Sequence, residues 1–217
     1  MGRYIIRGDL KIARVRKGKR TVVFRGKGLF TRNMGSLIAS ILAPYVNRNF
    51  ILNQETPKLT PVKNLDGYDI NLAFKYINFI VSPPFYFSNL FTIVTSEDVI
   101  GLPPDSYLGV MCFLTSQSVT PTPEMYTLPS LDLRIDLDEA EVIGDETTTK
   151  YKLRGSKTIE QSLTVKGAGI AIEVKQFAFE QSPVLGVEQI LLDVFTVAET
   201  TFSAGDTVVI EYWLTFA

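Results

Sequence analysis

Histidine is missing altogether from this 217-residue chain. Its absence removes the usual general base near neutral pH, the commonest metal ligand and every Ser-His or Cys-His nucleophile pair, so a non-enzymatic protein is expected and no catalytic residue is assigned. Cysteine is almost missing too: Cys112 stands alone, cannot form an internal disulfide, and reads as a small apolar core residue. Long apolar runs are lacking. The stretch Leu37 to Val46 is ten residues, and Phe74 to Val94 is interrupted by Lys75, Asn78, Pro83, Pro84 and Asn89, whereas a membrane span needs about 20 apolar residues. The opening residues contain no apolar segment of signal-peptide length. A soluble protein or a component of an assembly, with no membrane span, is the expectation. Gly18, Gly26 and Gly28 lie in a basic stretch but not in the phosphate-loop pattern, and the calcium spacing of an EF-hand is absent, so neither cofactor nor metal is expected.

What is present is apolar content sufficient for a sizeable core, 46% of residues, and a lopsided distribution of charge. Residues 1–48 carry twelve Lys or Arg against one acid, Asp9; the remainder carries 10 basic and 22 acidic residues, so +11 faces −12. Such polarity calls for an acidic partner for the basic start: nucleic acid, the acidic part of this chain, or a neighbouring copy.

Most of the chain reads as short strands. Tyr4 to Ile6, Leu10 to Val15 and Thr21 to Phe24 form a basic meander with Gly18 in its turn. Leu37, Ile38, Ile41 and Leu42 fall at helical spacing after a cap at Thr31 or Asn33, and Pro44 ends the helix. Two aromatic-rich strands flank Ser82-Pro83-Pro84, and Pro121, Pro123 and Pro129 mark an extended, exposed loop. Further strands are read at Thr148 to Leu153 and Ile159 to Lys166, with a bend at Gly167-Ala168-Gly169. Along the strand from Ile170 the apolar phase slips before Phe177, which predicts a β-bulge near Lys175 or Gln176. From Thr207 the residues alternate, with Val208, Ile210, Tyr212, Leu214 and Phe216 on one face.

The pattern predicts a mainly β protein: an antiparallel β-sandwich, jelly-roll-like or barrel-like, with one short N-terminal helix. Residues 1–30 are expected to form a basic β meander or arm. Residues 31–217 are expected to form the sandwich domain, with a surface loop at 47–67 and an aromatic-rich insert at 68–99.

Several motifs occur in an order that resembles virion structural proteins of tailed phages and related viruses, of the tail-fibre or tail-associated type. Gly28 to Val46 is similar to that family's opening helix, and Tyr107-Leu108-Gly109-Val110 to a characteristic strand. Thr120-Pro121-Thr122-Pro123 matches a Thr/Pro-rich loop, and Asp132-Leu133-Arg134 an acidic-x-Arg element. Ile172-Glu173-Val174 with Phe177 matches a later strand, and Ala204-Gly205-Asp206-Thr207 the turn before the last. Met111 to Phe113 replaces the family's Gly-Thr-Gly, and Lys175 and Gln176 stand where it has Gly-Leu. The resemblance implies a non-enzymatic virion component, in tail, connector, turret or capsid decoration. It would be assembled in the host cytoplasm and partnered by other copies of itself and by other virion proteins.

Candidate interface residues follow. The cations Arg14, Arg16, Lys17, Lys19 and Arg20 are expected to dock on an acidic surface such as Asp132, Asp136 and Asp138, while Phe85, Tyr86 and Phe87 supply apolar contact. The carboxylates from Asp132 to Glu146 read as a solvated face or interface in preference to a calcium or glycosidase site. Two alternatives stay open. One is a carbohydrate or receptor-binding module stacking sugars on Tyr86 or Tyr126; the other is a nucleic-acid-binding accessory protein using the basic start.

Overall fold

The computed structural model describes residues 6–42, 45–49, 54–57, 60–74, 91–93, 108–144, 148–177 and 184–217. In chain order the elements begin with β1 (Ile6–Arg16), β2 (Lys19–Lys27), β3 (Leu29–Phe30), α1 (Arg32–Leu42), β4 (Tyr45–Asn49), β5 (Gln54–Pro57), β6 (Thr60–Lys63), β7 (Asp69–Phe74) and β8 (Phe91–Ile93). They continue with β9 (Leu108–Thr115), β10 (Leu133–Asp136), β11 (Glu139–Gly144), β12 (Thr149–Thr158), β13 (Leu163–Phe177), β14 (Val184–Phe202) and β15 (Thr207–Phe216). Two five-stranded sheets make the sandwich, ordered β11-β12-β15-β1-β2 and β10-β9-β13-β14-β3, and neighbouring strands in both are antiparallel. The expected fold class, a mainly β antiparallel sandwich with a short helix, is what the chain adopts.

The two sheets differ in how their faces are covered, and the sequence pattern follows. Leu10 and Ile12 of β1 and Val208, Ile210 and Tyr212 of β15 pack inward against Cys112, Leu114, Ile170, Phe195 and Phe202 of the second sheet. Each such side chain contributes about 1.5–3 kcal/mol when fully buried. The second sheet is covered on its other face as well. There Met34 and Leu37 of α1 meet Val62, Ile172, Ile190 and Leu192, and the segment after β9 sets Val119 and Leu128 against Met111, Phe113 and Leu191. With both faces dry, Ile190 to Phe195 is buried without a break, which is why that run does not alternate. The Pro-containing loop expected to be exposed is so at Thr120, Thr122 and Glu124, but Val119 and Leu128 anchor it to the sheet.

The helix begins where predicted, although Thr31 does not cap it with its hydroxyl. That group donates to the Leu191 carbonyl at 2.7 Å, and the Asn33 amide bonds both the carbonyl and the N–H of Lys63, at 2.8 and 3.0 Å. Both side chains moor the helix start to strands.

Four expectations need correction. Residues 6–30 are not a separate meander or arm: β1 lies between β15 and β2, and β3 pairs with β14, because Leu10 and Ile12 need cover that only the whole sandwich provides. The expected surface loop at 47–67 contains β5, β6 and part of β4; Pro61 is accommodated because β6 is an edge strand, where a missing N–H leaves no ladder partner unsatisfied. Gly167-Ala168-Gly169 is not a bend. It lies within β13, flanked by register shifts at Val165/Gly167 and Ile170/Ala171. The strand expected from Ile159 begins at Leu163.

The slip expected near Gln176 occurs at Gln176/Phe177. The turn Ala204-Gly205-Asp206 carries the chain from the second sheet to the first, so β14 and β15 are not a hairpin. Within the expected insert, β7 and β8 are strands of a small sheet with β6; Phe85, Tyr86 and Phe87 lie outside the described residues.

Candidate interaction surface

The outward face of the first sheet is where side chains of functional character collect. Even-numbered residues of β15 enter the core, so Glu211 and Trp213 point the other way, and the strand register fixes their neighbours. Trp213 stands between Asp9 of β1 and Lys152 of β12, which in turn oppose Lys27 of β2 and Glu141 of β11. Two residues along β15, Glu211 stands between Lys11 and Arg154, which oppose Arg25 and Glu139. Two rows therefore cross all five strands: Glu141, Lys152, Trp213, Asp9, Lys27 and Glu139, Arg154, Glu211, Lys11, Arg25.

Opposite charges alternate along most of these rows, and contacts are made among β11, β12 and β15 and between Glu211 and Lys11. Lys152 lies 3.3 Å from Glu141 and sits 5.1 Å over the Trp213 ring, while Arg154 meets Glu139 at 3.1 Å. Exposed pairs of this kind contribute little individually, about 0–1 kcal/mol. Glu211 differs because it is buried, held by Lys11 at 2.7 Å and Arg20 at 2.5 Å. Burial alone would raise its carboxyl, but the hydrogen bonds and charges of Lys11 and Arg20 together hold it at about 2. Arg20 is opposite Val15, so its reach to Glu211 crosses the row holding Ala13 and Val209, both of them buried.

The side chains of Arg25 and Lys27, at the β2 end of the rows, make no hydrogen bond or ion pair among the described residues. With Asp9, Lys11 and Trp213 they border an open groove of about 480 Å³.

A second charged centre closes one end of the sandwich. Arg16 grips Asp206 with two hydrogen bonds, 2.6 and 2.7 Å, and reaches Ser203 at 2.8 Å, while Arg14 donates to the Thr201 carbonyl at 3.3 Å. The Arg16 guanidinium holds Asp206 at about 2, against the opposing effect of burial. The first sheet is thereby tied to the turn between β14 and β15.

Between the sheets lies an unexpected acid. Asp193 of β14 is fully buried, accepts the Tyr212 hydroxyl at 3.1 Å and the Val194 N–H at 3.0 Å, and is walled in by two glycines. A Cβ on Gly8 would fall 1.9 Å from one carboxyl oxygen and a Cβ on Gly28 2.0 Å from the other, so only hydrogen fits at either position. Burial pushes Asp193 up to about 7 despite the two donors, and the charge of Asp9 adds to the rise.

The predicted interface residues separate into three groups. Arg14, Arg16 and Arg20 do meet acceptors within the chain, but those of Arg16 and Arg20 are Asp206 and Glu211 instead of Asp132, Asp136 and Asp138. Asp132 accepts from the Ser116 N–H and the Ser130 hydroxyl at 2.5 and 2.8 Å, Asp136 pairs with Arg134 at 2.7 Å, and Asp138 is exposed. Lys17 and Lys19 are exposed in and beside the β1–β2 turn, where Lys17 and Gly18 have φ of 48° and 75°. The site residues Lys11, Arg25, Lys27, Trp213, Glu211 and Asp193 were not predicted. Asp193 had a readable signal as the one acid inside an apolar run; the others depend on pairing between distant strands.

Among the described residues no group of three or more His, Cys, Asp or Glu could hold a metal ion, and no helix is long and apolar enough to cross a membrane. No protein-family model, curated protein or solved structure matches this chain.

Proposed function

We propose that this chain is a non-enzymatic structural component of a virus particle, assembling in multiple copies with itself and with other virion proteins. The observation that carries this reading is the outward face of the first sheet, where paired charges flank Trp213 on a five-stranded platform. A surface of this kind suits docking: aromatic area supplies affinity, and ordered charge supplies orientation. The motif order shared with tail-associated virion proteins supports the same reading and extends it to tail, connector, turret or capsid decoration.

Nucleic-acid binding through the basic start is the weaker reading. Lys11, Arg16 and Arg20 are already neutralised by Asp206 and Glu211, which leaves fewer cations for phosphates than the count in the sequence implies. Imaging of purified particles, with this chain located by a specific label, tests the proposal. The chain is expected in intact particles at fixed positions and in several copies; particles that lack it would refute a structural role in the virion.

A further inference from the structure

The two edges of the first sheet carry opposite charge. At one edge, β2 contains Lys19, Arg20, Arg25 and Lys27 and no acid; at the other, β11 contains Glu139 and Glu141 and no base, with Asp138 just before it. Every residue of β11 is exposed, including Val142 and Ile143, and β11 has no proline and no lysine of the kind that blunts free edges. An edge of this kind is a template for another strand.

We infer that copies of this chain join edge to edge, β2 of one against β11 of the next, so that the first sheet continues from molecule to molecule. The inference rests on assembly in multiple copies and specifies how neighbouring copies meet. Direction permits it. Each pairing from β11 through β12, β15 and β1 to β2 is antiparallel, so β11 and β2 run the same way and would meet as a parallel pair.

Register also favours it. Lys27 ends the row that Glu141 begins, and Arg25 ends the row that Glu139 begins. A next copy placed in line sets Lys27 beside Glu141 and Arg25 beside Glu139, on one face of the sheet and in the same chain direction. The side chains of Arg25 and Lys27, which have no partner among the described residues, thereby acquire carboxylates.

The alternative symmetric arrangements are penalised. Pairing β2 with β2 would bring four cations against four, and pairing β11 with β11 would bring glutamates against glutamates. Charge thus rejects a two-fold dimer at either edge and selects a head-to-tail contact, which closes into a ring or continues as a filament.

The test is sedimentation velocity on the purified chain, wild type against R25E/K27E and E139K/E141K. Wild type is expected to form oligomers larger than a dimer, and each variant alone to associate roughly a hundredfold more weakly, consistent with two like-charge contacts. An equimolar mixture of the two variants restores association, because every junction between unlike variants is complementary while every junction between like variants is repulsive. All four side chains are on edge strands and circular dichroism checks that the variants fold.

A second variant pair keeps the test independent of charge. K27C/E141C is expected to give a reducible ladder of disulfide-linked oligomers, since Cys112 is buried and cannot contribute. Monomeric wild type, variants that associate normally, or a mixture that stays monomeric would each overturn the inference. So would wild-type monomers whose basic edge instead binds DNA in a salt-dependent way that R25E/K27E abolishes. These failures leave particle imaging untouched, so a chain found in particles but joined by other surfaces is distinguishable from one that is not a virion component.

Discussion

Asp193→Asn isolates the buried carboxyl between the sheets with little change of shape. Val194 still donates to the remaining side-chain oxygen, and the new amide can donate to the Tyr212 hydroxyl, so both contacts survive. What disappears is the titration. Asp193 is raised from 3.8 to about 7 in the fold, so the folded chain holds its proton over a pH range in which the unfolded chain has lost it. Stability from this group is therefore complete below about pH 4 and is lost as pH rises through about 7. Three units at about 1.4 kcal/mol each set the loss at about 4 kcal/mol as an upper bound, since water entry around the ionised form reduces it. Urea unfolding at pH 5 and pH 8.5 gives the measurement: D193N should match or trail the wild type at pH 5 and exceed it by about 1–3 kcal/mol at pH 8.5, because part of the loss has already occurred by pH 5. Identical pH dependence in the two proteins would refute the placement of a buried acid between the sheets.

The acid-side window belongs to other groups. Glu211 is depressed to about 2, so its contribution is present above its ordinary pKa of 4.5 and is lost as pH falls toward 2. E211Q should cost about 1–2 kcal/mol at pH 7, discounted for the exposure of Arg20, with the deficit vanishing near pH 2 in the same unfolding assay. Gly28→Ala forces a Cβ to within 2.0 Å of the Asp193 carboxyl and should destabilise by about 2–3 kcal/mol; a change below 0.5 kcal/mol in thermal or urea melts would contradict the close approach. Lys17→Asn should stabilise by roughly 0.5–1 kcal/mol, because Asn tolerates the positive φ of this hairpin position better than Lys does. A neutral or negative result by urea titration would argue against that turn geometry.

How far the sequence could be read depended on whether a residue's partners were local. The terminal strand was legible from alternation alone, because one of its faces enters a core and the other carries Glu211 and Trp213. The bulge beside Gln176 was legible as a phase slip. Pairing across the sandwich was not. Arg16 and Arg20 could be seen as cations seeking acids, but their partners lie 190 and 191 positions away, and the dense carboxylates at 132–146 drew the assignment instead. Nor could composition reveal that residues 6–30 belong to the sandwich, because β1 and β2 form a local hairpin whether or not β15 joins them. Trp213 drew no attention as one residue on an alternating strand; only the register sets it among Asp9, Lys152 and Lys27.

The pairing of β1 with β15 also governs the order in which the molecule can be made. Lys11 and Glu211, 200 positions apart, belong to neighbouring central strands, so the middle of the first sheet does not exist until Thr207–Phe216 has been translated. Until then Leu10 and Ile12 are paired only on their β2 side and lack Tyr212 and Ile210, and non-local closure of this kind makes folding slow. A nascent chain waiting with one side of that apolar strand unpaired is prone to stick to its neighbours. The cations of β1 and β2 mitigate that risk by repelling other unfinished chains, a gatekeeping duty that ends when Asp206 and Glu211 arrive to neutralise Arg16, Lys11 and Arg20.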